Sequence, residues 1–149
     1  MNISENGVNL IKQFEGFRAD PYQDSVGVAT IGYGTILYPD GTSVTMNDSP
    51  ITEDQAEQYL AFNVDHKTSS INNMLTVSVN QNQFDALCSF AYNLGCGSLH
   101  GSTLLRLVNQ SDFYGAANQF PLWDKAGGQV VAGLQRRRLA EQQLFSTPC

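Results

Sequence analysis

Two carboxyl side chains and a hydroxyl stand near the start of the sequence at short spacing. Eight residues separate Glu15 from Asp24, and five separate Asp24 from Thr30. Such a pair of carboxyls suits the breaking of a glycosidic bond: the protonated one assists the departing oxygen, and the ionised one stabilises charge or activates water. Local sequence sets the two apart. Glu15 closes a helical pattern, where the negative end of the helix dipole disfavours the ionised form and holds the proton toward neutral pH. That is what a general acid needs. Asp24 lies beside Ser25 and Gly27 at a predicted turn, where solvent and backbone N–H groups keep it charged. Thr30, on the following strand, offers a hydroxyl that can orient a water. Taken alone, a Glu and an Asp at this spacing occur on many solvated surfaces, so the pair needs a scaffold before it means anything.

The elements that would position these residues are legible in the pattern. Ser4 is a predicted N-cap, and Val8, Leu10, Ile11 and Phe14 recur at helical spacing until Gly16 offers a stop. From Tyr22 to Thr35 the chain turns to β-branched residues and glycines, which predicts short antiparallel strands. Pro39-Asp40-Gly41 marks a further turn. Thr52 with Gln55 forms a capping-box signal that opens a long helix over about 52–76, and Asn80 with Gln83 opens another. Everything after Asn80 reads as helix, with stretches around Leu104 to Val108, Phe113 to Phe120 and Leu134 to Phe145. These elements predict an α+β chain: one domain over 1–149, with a small β-containing lobe (1–60) and a helical lobe (77–149) joined by the long helix.

Composition narrows the function classes. The 149 residues, 42% hydrophobic and 15% charged, suffice for one well-buried core. The net charge of −6 argues against general nucleic-acid binding, which needs clustered Lys and Arg. Ten acidic and two basic residues precede His66, against four acidic and six basic from there on, which suggests two regions with different jobs. No apolar run is long enough for stable membrane insertion, and no export signal is visible at the start. Three cysteines, Cys88, Cys96 and Cys149, do not read as a disulfide framework, and synthesis in the cytoplasm follows. Cys88, Cys96 and His100 lack a fourth ligand, so no metal is expected.

The runs Phe14-Glu15-Gly16-Phe17-Arg18, Tyr22-Gln23-Asp24-Ser25-Val26-Gly27 and Ala29-Thr30-Ile31-Gly32-Tyr33-Gly34 resemble the phage-type, T4-like lysozyme family. Further matches are Gln83 to Gly95, Ser102-Thr103-Leu104-Leu105 and Trp123 to Arg138, which look like its endolysin branch. Glu15, Asp24 and Thr30 fall at the spacings of the family's motif. The resemblance implies a lysozyme-like fold with a cleft between the lobes, and hydrolysis of the β-1,4 bond between N-acetylmuramic acid and N-acetylglucosamine in bacterial peptidoglycan, without metal or cofactor. It implies inversion by a directly attacking water, with carboxyls about 6.5 to 9.5 Å apart. It also implies a monomer made in the host cytoplasm that reaches the periplasm or wall once a separate holin has opened the inner membrane. Thr35 departs from the T4 enzyme, which carries histidine there.

Other residues admit two readings each. Tyr33 and Asn93 are candidate sugar contacts or ordinary packing residues. Arg137 is a candidate contact for peptidoglycan carboxylates, or the partner of Glu141 one helical turn on. Arg18 can serve either carboxyl or form a surface pair, and Trp123 can stack on a sugar face or, as a lone tryptophan in a helical lobe more often does, anchor the core. Two competing functions remain: a lytic transglycosylase, which the presence of Asp24 and Thr30 disfavours, and a non-catalytic scaffold that binds peptidoglycan or another protein.

Overall fold

A computed structural model describes all residues, 1–149. The first helix, α1 (Glu5–Glu15), buries Ile11 completely, and it ends where the sequence offers its stop. Gly16 adopts φ +72° and donates its N–H to the Lys12 carbonyl at 3.0 Å, a left-handed closure that costs glycine nothing. Strands β1 (Arg18–Gln23) and β2 (Ala29–Gly32) pair antiparallel, with Tyr22 opposite Thr30 and an irregularity between Arg18 and Tyr22. That stretch contains Pro21, which has no N–H to give to a ladder. The turn at Pro39-Asp40-Gly41 forms as expected, closed by a 2.9 Å bond from the Gly41 N–H to the Tyr38 carbonyl.

Helix α2 (Glu53–Met74) starts at the anticipated capping box. The Gln55 N–H donates to the Thr52 hydroxyl oxygen, and the Thr52 N–H donates to the Gln55 side chain. Helix α3 (Gln81–Leu94) opens on the same device, built from Asn80 and Gln83. Then come α4 (Cys96–His100), α5 (Thr103–Asn109), α6 (Phe113–Ala117), a 3-10 turn over Phe120–Leu122 and α7 (Ala132–Ser146). The fold is α+β, as the sequence predicts, with one correction. The region after Asn80 is not wholly helical: β3 (Lys125–Ala126) and β4 (Gln129–Val130) form a hairpin. Gly127 and Gly128 both take positive φ, which a two-residue hairpin turn demands.

The chain divides into two compact units, Ile11–His66 and a second made of Met1–Leu10 with Lys67–Cys149. Residues 1–10 therefore group with the later part of the chain rather than with 11–60. The physical reason lies at Asp85 on α3. Its fully buried carboxylate accepts the Ser4 N–H at 2.9 Å, the Ser4 hydroxyl and the Gln81 side-chain amide. Ser4 thus begins the helix, but its hydroxyl is spent on Asp85 rather than on the first turn.

In the 11–66 unit, Ile11, Ile31, Tyr33, Val44, Ala56, Leu60 and Val64 are buried. The other unit has an aromatic core in which Phe90 meets Phe120 and Trp123 edge-on, and Phe120 meets Phe145. That core encloses a polar knot. Glu141 is fully buried and accepts from Arg138 at 3.0 Å, from the Ser89 hydroxyl and, more weakly, from Arg137 at 3.4 Å. Arg138 Nε also lies 2.6 Å from Glu141 Oε1, a charge contact without hydrogen-bond alignment. Burial pushes the Glu141 carboxyl up against the opposing pull of both arginines, and burial likewise lowers the Arg138 guanidinium. No helix is long and apolar enough to cross a membrane.

Candidate active site

Glu15, Asp24 and Thr30 all lie in the 11–66 unit. Glu15 is the last residue of α1 and half-buried, its backbone fixed by the Gly16 closure just after it. Asp24 caps its own turn. Its Oδ1 accepts the N–H groups of Val26 and Val28, each at 2.9 Å, while the Asp24 N–H donates to the Val28 carbonyl. Gly27 takes φ +84° in that turn, so the chain can fold back in five residues. This is the backbone N–H environment that the sequence predicts for Asp24.

Thr30 is 3% exposed, and its hydroxyl donates to the Val28 carbonyl at 2.9 Å. The proton of that hydroxyl is therefore committed to the chain. What Thr30 Oγ1 can offer a water is a lone pair, so it acts as an acceptor and not as a donor.

Tyr22 ties these residues together, and sequence reading passed over it except as part of a motif. It faces Thr30 across the β1–β2 ladder. Its phenol is held above the usual range first by burial, next by the charge of Glu15 and, less strongly, by Asp24, with Arg18 opposing. Both carboxyls therefore act on the same half-buried phenol through their charge. Arg18 lies over that ring, 4.4 Å from guanidinium carbon to centroid, a cation–π contact with its aromatic face. The signal available in the sequence was an aromatic residue two positions before Asp24 on the strand that must pair with Thr30.

The remaining candidates are placed as follows. Tyr33 is 3% exposed, with its hydroxyl donating to Glu53 at 3.0 Å. Arg137 is also 3% exposed and donates to Glu141 and to the Ser89 carbonyl, so the helical pairing anticipated from the sequence forms. Asn93 sits near the end of α3, half-buried, with Oδ1 shielded from solvent and without a hydrogen-bond partner. Trp123 packs its ring on Phe90, in keeping with a core anchor. Asn93 and Arg137 belong to the second unit.

With this geometry in hand, comparison with known proteins places the chain. The phage lysozyme family model matches residues 12–141, and the chain belongs to that family. Its relatives include an endolysin of Bacillus phage B103, 46% identical over 147 residues. That alignment covers 99% of this chain but only 55% of the relative, so the chain spans about half the length of that protein. An endolysin of Salmonella phage P22 is 40% identical, with 97% of this chain and 98% of the relative covered. Among solved structures, an endolysin from the Escherichia coli O157:H7 phage FAHEc1 superposes with a TM-score of 0.90. It shares 37% identity over 98% of this chain and 94% of its own.

Proposed function

We propose that this chain is an endolysin that hydrolyses the β-1,4 bond between N-acetylmuramic acid and N-acetylglucosamine in peptidoglycan. What carries the reading is that Glu15 closes α1, Asp24 caps the turn after β1, and Thr30 faces Tyr22 on β2, all within a single unit. Membership of the phage lysozyme family supports it. In this mechanism Glu15 gives its proton to the glycosidic oxygen as the bond to the anomeric carbon breaks. A water is held on the opposite face by Asp24 and by the free lone pair of Thr30. It adds to the anomeric carbon and passes a proton to Asp24, which inverts the configuration.

Asn93, half-buried near the end of α3, is carried forward as a substrate contact. Entry to the wall through a holin-made lesion and action as a monomer complete the proposal. Lysis with and without a co-expressed holin checks the first, and sedimentation checks the second.

The decisive experiment digests purified peptidoglycan with the wild type and with Glu15→Gln, followed by mass spectrometry of the released muropeptides. Hydrated reducing muramic ends from the wild type are expected, falling at least about 100-fold in the variant. Anhydro ends would identify a lytic transglycosylase, and no products from the wild type would leave a binding scaffold.

A further inference from the structure

One side-chain cluster in the 11–66 unit is not used by the cleavage chemistry. Lys12 lies one turn before Glu15 on α1, and its ammonium pairs with Glu57 of α2. The same ammonium stands 5.4 Å from the centroid of the Tyr33 ring. Tyr33 follows Thr30 by three positions and donates its hydroxyl to Glu53, one turn before Glu57 on α2. Phe17, just past Glu15, packs its ring 5.7 Å from that of Tyr33. Gly32 joins β2 to this cluster at φ +66°, and a Cβ there would come within 3.0 Å of the Ala56 methyl. The end of β2 is therefore pressed onto the first turns of α2.

Glu15 and Thr30 each sit at or near the end of a short element, where the chain frays most easily. A misplacement of about 1 Å in a catalytic group can cost about 100-fold in rate. The last turn of α1, the turn after β2 and the start of α2 are held to one another by Lys12, Tyr33, Glu53 and Glu57. We propose that these four residues form a positioning cluster that holds Glu15 in register with Asp24 and Thr30 for the hydrolysis. Tyr33 then acts at one remove from the sugar, through its neighbours.

The charge states suit this task. The hydrogen bond to Glu57 holds the Lys12 ammonium above its usual range despite partial burial, and burial with the Glu53 bond raises the Tyr33 phenol. Both stay protonated through neutral pH, so the cluster does not open where the enzyme works. As an isolated surface pair, Lys12 with Glu57 would add little stability. Its consequence is expected in turnover.

The inference rests on the hydrolase reading, and the test separates the two. Turnover of soluble, uncrosslinked glycan chains is measured for wild type, Glu15→Gln, Lys12→Met, Lys12→Arg and Tyr33→Phe, with a melting curve for each. Lys12→Met is expected to lose about ten-fold in kcat with KM within about two-fold, and Tyr33→Phe about three-fold. Lys12→Arg should restore most of the loss, because a cation again spans Glu57 and the ring. A rise in KM at constant kcat would overturn the proposal and make these residues sugar contacts. Unchanged kinetics, or a loss that tracks melting temperature and is not rescued by arginine, would also overturn it. A wild type that releases no product ends the hydrolase reading, and this one with it.

Discussion

The two units use their polar residues in opposite ways. The 11–66 unit carries nine acidic residues against two basic, whereas the rest of the chain carries five against six. In the acidic unit, carboxylates stay near the surface and organise turns. Asp48 is the clearest case: it accepts from the Tyr38 hydroxyl at 2.6 Å, the Thr45 N–H at 2.9 Å and the Thr45 hydroxyl at 2.6 Å. Those bonds, the Thr45 hydroxyl first, hold its carboxyl below the usual range. In the other unit Glu141 is fully enclosed, and burial raises its carboxyl even with two arginines beside it. The same functional group is thus held by bonds to its ionised form in one place and displaced by loss of water in the other. Substitutions in the first unit should move local geometry and turnover, and in the second, global stability.

The contrast can be broken most directly at Glu141. Glu141→Ala leaves the Arg137 and Arg138 guanidinium groups buried without their shared carboxylate, and a loss of about 3–5 kcal/mol in urea unfolding is expected. A loss below about 1 kcal/mol would show that water reaches the knot and that the two regions do not differ in this respect.

Asp48 sharpens the other side through pH. Its folded-state pKa is depressed, so its contribution is present above the unfolded value of about 3.9 and disappears as pH falls through the lower folded value. Melting temperature measured from pH 5 down to pH 2 should therefore fall less steeply for Asp48→Asn than for the wild type. Parallel curves would mean that its hydrogen bonds are equally available in the unfolded chain.

The smallest effect concerns the thiols of the second unit. Cys149 is exposed and Cys88 is buried, with burial pushing the Cys88 thiol well up. Brief treatment with iodoacetamide should label Cys149 and leave Cys88 untouched until denaturant is added. Early labelling of Cys88 would reveal a looser core than the aromatic packing indicates.

Elements with local signals were read correctly from sequence, and those depending on distant partners were not. Gly16 as the end of α1 and the boxes at Thr52/Gln55 and Asn80/Gln83 are local, and all three form. The β3–β4 hairpin has only two residues per strand, too few for alternation to register, and its double-glycine turn lay inside a run read as helical. Ser4 announces a helix start correctly, but its bond to Asp85 spans 81 positions and no neighbouring residue foretells it. At the site, residue types and spacing pointed to Glu15, Asp24 and Thr30. The part played by Tyr22 depends on strand register, which the sequence leaves open. The burial of Tyr33 and Arg137 likewise follows from tertiary packing against Glu53 and Ser89.

The bond between Ser4 and Asp85 also bears on the order in which a ribosome can deliver a finished molecule. Residues 11–66 are contiguous and leave the exit tunnel together, so their contacts can form while translation continues. Residues 1–10 must wait, because α3 is made about eighty residues after them and α7, which covers Phe90 and Ser89, later still. A segment made early is therefore among the last to find its place, and a chain stalled before α3 would hold residues 1–10 without the partner that seats them.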